Sequence, residues 1–282
     1  MVSSAFFSKP TADPDAPSAL LARSRKQRPA TEILCEHVFR PLAHLVVLAL
    51  LPLRVPPPAV VLAATTTGLF AATELWRGNL LAAAVLLQLK TVLDNADGQL
   101  ARASGRISVL GRYLDSESDL LVDAALFAAI GHVTGRPWLA LAGFLALTFV
   151  LSLDYNLERL YRAERGTGFD ALPDAAGVAG LLRRVYMIVY WPHDRLIERF
   201  VAWRVRDDGP EPRLAYHDRG TLAVLTNLGL STQLAVLGVL LAIGHPGAYC
   251  WLVLGLAGAT GPILLRRELL VRRARTARAA RA

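Results

Sequence analysis

Between Leu93 and Asp123 the chain reads LDNADGQLARASGRISVLGRYLDSESDLLVD, and its acids fall at helical intervals. Asp94 and Asp97 are three apart and Asp115 and Asp119 four apart, so each pair shares one helix face. Side-by-side packing of the two helices would bring four carboxylates together. In a half-buried setting such a set repels strongly unless it is protonated or matched by cations. Hard oxygen ligands suit Mg²⁺ or Mn²⁺, and balancing this charge takes two divalent cations. Paired metals serve displacement at phosphorus. Gly98 removes a side chain next to Asp97, Ala101 is nearly as small one turn on, Gly111 lies one turn before Asp115, and Arg102 can reach a phosphate. Taken singly, an Asp pair is a solvated face and a membrane glycine is close packing. Together, at the boundary of apolar spans, they read as a site.

Asp94, Asp97, Gly98, Ala101, Arg102, Gly111, Asp115 and Asp119 match the pattern D-x2-D-G-x2-A-R-x8-G-x3-D-x3-D at every position and spacing. In this the chain resembles the CDP-alcohol phosphotransferases (CDP-alcohol phosphatidyltransferases). The resemblance implies a phospholipid-synthesis enzyme in which a CDP-linked lipid or alcohol donates its substituted phosphoryl group to an acceptor hydroxyl and CMP leaves. It implies that Asp94, Asp97, Asp115 and Asp119 hold two divalent ions and that Asp119 is also the general base. Asp94, Gly98, Ala101, Arg102 and Gly111 would contact the CDP moiety. Chain length and span count favour CDP-diacylglycerol as donor over the reversed arrangement, a CDP-alcohol with diacylglycerol as acceptor. Homodimerisation is expected by analogy with the family.

Acceptors in the family include glycerol phosphate, inositol phosphate, serine and unphosphorylated alcohols. A phosphorylated acceptor needs basic residues near the metals. Candidates are Arg112, Arg159, Arg162 and Arg165, with Arg183 and Arg184 further on. Cytoplasmic arginines also follow from topology and lipid headgroups alone. Asp154 and Glu158 share a face and either pair with these arginines or line a polar cavity. Lys90, one turn before Asp94, reads as a side chain snorkelling to the interface. Asp123, one turn beyond Asp119, reads as a supporting acid.

The elements that position these residues follow from composition. Of the 282 residues 54% are apolar and only 19% charged, and mean hydropathy is +0.38. A water-soluble domain carries about 25% charge, so an all-α, polytopic integral membrane protein is expected. The 31 basic residues against 23 acidic ones then face lipid headgroups and phosphorylated substrates, not nucleic acid. Cys35 and Cys250 offer neither a disulfide framework nor a zinc pattern.

Residues 1–30 read as a disordered tail without the apolar region of a cleaved leader. Residues 31–55 read as an interfacial juxtamembrane helix, ended by Pro56, Pro57 and Pro58. A six-helix membrane domain is expected over 56–265, with spans near 58–75, 80–101, 109–131, 138–157, 221–243 and 248–265. Each is close to the roughly 20 residues a crossing needs. Residues 159–220 form a cytoplasmic insert to which the sequence gives no role, and 266–282 a basic tail. Arg and Lys crowd one set of connections, while the opposite set holds Arg77 and Arg136. That places both termini and the acidic motif in the cytoplasm, and the resemblance to phosphatidyltransferases of bacteria implies a bacterial inner membrane. A cation-binding transporter is the competing class. It places its acids at the bilayer midplane in matched halves, whereas here they lie near one interface with no second set.

Overall fold

A computed structural model describes residue 24, residues 28–167 and residues 177–280. The described residues form helices and connections, with no strand among them. A π-helical turn, Cys35–Phe39, runs directly into α1, Arg40–Leu50. Then follow α2, Pro57–Trp76, α3, Leu80–Ala103, and α4, Val109–Thr134. The second half holds α5, Pro137–Glu164, α6, Gly177–Val189, α7, Trp191–Arg204, and α8, Pro210–Tyr216. It ends with α9, Arg219–Thr226, α10, Leu230–Ala242, and α11, Pro246–Ala279.

Four stretches are long and apolar enough to cross a membrane: Pro57–Trp76, Pro137–Glu164, Pro210–Ala242 and Pro246–Ala277. The motif helices α3 and α4, of 24 and 26 residues, fall outside that class because their facing ends carry the charge.

Small residues let α2, α3 and α4 pack tightly. Ala71, Ala72 and Leu75 of α2 meet Ala83, Ala84 and Leu87 of α3 and Val122 and Leu126 of α4 in one buried cluster. Burial of this kind stabilises by about 25 cal/mol per Å² of apolar surface taken from water, and between helices in lipid the gain is close van der Waals contact instead. A second cluster joins Ala43 and Val47 of α1 to Ala96, Leu100 and Ala103 of α3. So α1 braces the motif helix at its charged end, while Leu42, Leu45 and Leu48 point outward. Gly135 closes α4 in the left-handed conformation, at φ 65°, where glycine carries no Cβ penalty.

Three boundaries depart from the sequence expectation. The fifth span is not one helix: it breaks at Asn227–Gly229, between α9 and α10. Asn227 supplies the reason. Its Oδ1 accepts from the Ile33 amide at 2.9 Å and its Nδ2 donates to the Thr31 carbonyl at 3.0 Å, so the break is where the N-terminal segment docks. The sixth span does not give way to a tail; α11 continues to Ala279. Arg204 pairs there with Glu268, and Arg275 with Asp208 at 2.6 Å, so the arginine-rich half is held on α7 and the loop after it. Lastly, Arg28–Ala30 belong to the packed structure: Pro29 accepts from Arg219 Nε at 2.8 Å and Ala30 is buried. The remainder of the expected disordered tail, residues 1–23 and 25–27, and insert residues 168–176 lie outside the described residues.

Candidate active site

The connection between α3 and α4 sets the geometry. Ser108 caps α4, its hydroxyl accepting from the Gly111 amide at 3.0 Å. The chain turns back so that the last turns of α3 face the first turns of α4. Asp94, Asp97 and Asp115 thereby bring carboxylate oxygens within 4.8 Å of one another. Asp97 is only 5% exposed, and its Oδ2 has no hydrogen-bond partner. A buried carboxylate oxygen left without a donor wants a cation, so this donor set suits a hard divalent ion.

Asp119 lies one turn beyond Asp115 and has a different partner. Lys90 Nζ donates to Asp119 Oδ1 and, at 2.9 Å, to Asp94 Oδ1. Lys90 is 1% exposed. Lys90 serves the site, contrary to the snorkelling expectation: Gly68 of α2 packs against its stem, and its ammonium joins the carboxylates.

The four aspartates, Gly98 and Arg102 line a cavity of about 390 Å³. Arg102 lies across Gly98, where a Cβ would meet its Nη1 at 3.2 Å, and its Nε donates to the Ser24 carbonyl at 2.6 Å. Ala101 and Gly111 stand outside the lining. Gly111 serves the start of α4 through its amide.

The proposed acceptor arginines are not drawn to the cavity. Arg159 donates to Asn156 at 3.0 Å and pairs with Glu198. Arg162 pairs with Glu158 at 2.7 Å, and Arg165 lies over the Tyr161 ring at 3.7 Å. Arg112 is also absent from the lining. The arginines that do line it are Arg28, Arg40 and Arg102. Arg28 bridges Glu32 at 3.5 Å and Glu158 at 3.8 Å, which ties the N-terminal segment to α5. Burial raises the Glu32 carboxyl above the usual range, against the opposing pull of Arg28. Asp154 and Glu158 both line the cavity and Glu158 pairs with Arg162, so both alternatives for this pair hold in part.

The insert, silent in sequence, forms a wall of the same cavity. Tyr186, Tyr190 and Asp194, at the corner between α6 and α7, line it. Asp194 accepts from Asn156 Nδ2 at 2.6 Å and from the Tyr186 hydroxyl at 2.5 Å, which fixes the corner to α5. Burial, then the nearby charges of Asp123 and Asp119, push the Tyr190 hydroxyl up. For Lys90 a signal existed: a lysine in the apolar run AVLLQLKTVL needs a buried partner, and Asp94 is one turn away. For Arg28 and the α6–α7 corner there was none, because their contacts join residues far apart in sequence.

The described residues are helical, with stretches long and apolar enough to cross a membrane and a carboxylate cluster beside a polar cavity, the marks of a membrane protein with a candidate cation site. A family model for CDP-alcohol phosphatidyltransferases matches residues 46–203, more than half of the chain. The chain therefore belongs to the CDP-alcohol phosphatidyltransferase family. Family members use CDP-alcohols and alcohol acceptors in membranes and generally depend on divalent cations.

Among curated proteins, the chain is 40% identical over 78 residues to a bifunctional IPC transferase and DIPP synthase of Thermococcus kodakarensis, covering 27% of this chain and 18% of that one. It is 40% identical over 62 residues to an archaetidylinositol phosphate synthase of Pyrococcus horikoshii, covering 22% and 33%. It is 31% identical over 114 residues to a protein of the same name from Aeropyrum pernix, covering 40% and 59%. In each case the match spans less than two thirds of the relative's length. No solved structure matches the chain.

Proposed function

We propose that the protein transfers the phosphatidyl group of a CDP-linked lipid, CDP-diacylglycerol, to the hydroxyl of a small phosphorylated alcohol, with release of CMP. The observation that carries this reading is the convergence of Asp94, Asp97 and Asp115 on one wall of a polar cavity, within a complete family signature. The names of the archaetidylinositol phosphate synthases support an inositol phosphate over glycerol phosphate as acceptor.

In this reading Asp94, Asp97, Asp115 and Asp119 hold two divalent cations, Mg²⁺ or Mn²⁺. When bound, the ions offset charge on the diphosphate and on the departing CMP. Gly98 lets the diphosphate lie against the α3 backbone, and Arg102 reaches across it; Ala101 and Gly111 keep the neighbouring turns narrow. The acceptor oxygen attacks the lipid-bearing phosphorus, the phosphorus–oxygen bond to CMP breaks in line with it, and Asp119 takes the acceptor proton. Arg28 and Arg40 face the acceptor phosphate, while Tyr190 and Asp194 face its hydroxyls.

The same reading has α3 and α4 cross the membrane beside the four apolar stretches. At about 1.5 Å per residue each is long enough. The six-helix domain then spans 56–265, with the interfacial helix before it and 159–220 as a cytoplasmic insert. Both termini and the active site face the cytoplasm of a bacterial inner membrane.

The test is CMP release by the full chain in detergent with CDP-diacylglycerol, Mg²⁺ and, in turn, inositol 1-phosphate, glycerol 3-phosphate, inositol and serine. Release with inositol 1-phosphate alone is expected. Release only with serine or unphosphorylated inositol would overturn the acceptor class, and no release with any of them would overturn the donor assignment.

A further inference from the structure

The acidic site contains a cation of its own. Lys90 is 1% exposed, its Nζ bonded to Asp94 and Asp119. Its stem is walled in by α2, since a Cβ on Gly68 would stand 3.2 Å from Lys90 Cγ. The ammonium therefore has no route to water that leaves the carboxylates. Asp97 is in the opposite condition: it is buried, its Oδ2 has no partner, and it shares ligand distance with Asp94 and Asp115. Lys90 supplies counter-charge to Asp119 and Asp94, while the orphaned Asp97 oxygen beside Asp94 and Asp115 has none.

A divalent ion entering at Asp94, Asp97 and Asp115 satisfies an orphaned oxygen. A second ion entering at Asp119 must displace a buried ammonium, which then keeps only Asp94, itself a ligand of the first ion, as a charged partner inside a low-dielectric wall. That exchange becomes favourable once a diphosphate adds negative charge beside it. Resting on the reading of the four aspartates as the metal site, we propose that the two cation positions fill in order. One divalent ion occupies the resting protein at Asp94, Asp97 and Asp115 while Lys90 holds Asp119. The second enters together with the diphosphate of the donor. Lys90 is thus a positioning residue that keeps Asp119 in place and blocks premature loading of the second ion.

The experiment counts Mn²⁺ bound to the purified full chain in detergent, by calorimetry and by the Mn²⁺ paramagnetic resonance signal, with and without cytidine 5′-diphosphate. One ion without the nucleotide and two with it are expected. Lys90→Met should bind two ions without the nucleotide, the second at least tenfold tighter than in the wild type. Two equivalent ions in the resting wild-type protein would overturn the ordered loading and leave the proposed reaction standing. So would a Lys90→Met protein that still binds one ion without nucleotide. No Mn²⁺ bound in either state would remove the metal site and with it the proposed function. Where Lys90→Met does not fold, the wild-type count alone decides.

Discussion

Gly68 of α2 lies so close to Val122 of α4 that a Cβ at position 68 would stand 2.7 Å from Val122 Cγ1. Val122 is 1% exposed and belongs to the buried cluster between α2, α3 and α4. This contact sets the distance between the two helices and seals the stem of Lys90. Gly68→Ala should therefore cost about 1–3 kcal/mol through overpacking. Thermal unfolding in detergent reads it as a lowered Tm; an unchanged Tm would mean that the helices are not in this contact.

Asp119→Asn removes the proposed base and keeps the side-chain size. CMP release should fall roughly 100- to 10,000-fold in a protein that still folds, with a Tm lowered by loss of the ion pair to buried Lys90. Retained turnover would take the proton-accepting role away from Asp119. Chelation with EDTA should also abolish release, and added Mg²⁺ or Mn²⁺ should restore it.

Asn227 joins the break between α9 and α10 to the N-terminal segment through Ile33 and Thr31. Asn227→Ala removes both of these exposed bonds and should destabilise the protein by about 0.5–1.5 kcal/mol for each. The loosened segment should also be cut faster by trypsin after Arg28. Equal cleavage rates in variant and wild type would contradict the clasp.

Glu32 carries a pH dependence. Burial raises its folded-state pKa above the unfolded value of about 4.3. The stability it contributes is thus present below that value and is lost as pH rises through the raised folded pKa. Glu32→Gln abolishes this loss, so the Tm of the variant relative to wild type should climb as pH rises from about 4.3. Parallel Tm curves for the two proteins would show that Glu32 titrates as an ordinary exposed carboxylate.

Asp194 fixes the α6–α7 corner through Asn156 and Tyr186. Asp194→Asn should raise the acceptor KM roughly tenfold, the equivalent of one charge-assisted hydrogen bond, with the KM for the CDP-linked donor unchanged. A matching rise in both constants would point to a general loss of structure.

The chemistry-bearing carboxylates were legible because helical periodicity alone aligns 94 with 97 and 115 with 119, and the intervening Gly and Ser residues announce the reversal. The long helices followed from apolar run length. Lys90 was misread because snorkelling was preferred to the ion pair with Asp94 one turn away, and only the fold shows Gly68 of α2 against its stem. The break at Asn227–Gly229 was hidden inside an apolar run, and it depends on a partner segment nearly two hundred residues earlier. The continuation of α11 through its arginines depends on Glu268 and Arg275 finding Arg204 and Asp208. Of the candidate acceptor arginines, Arg159 pairs with Glu198, far along the chain, and Arg162 with Glu158 one turn away.

All four motif aspartates come from one window of 26 residues, but the walls around them come from Arg28 before it and from Tyr186, Tyr190 and Asp194 after it. Floor and walls are thus separate inheritances. Segments that line the walls can be exchanged, lengthened or inserted without disturbing a single carboxylate. A change in the walls would reshape the cavity and leave the spacing of the four aspartates as it is.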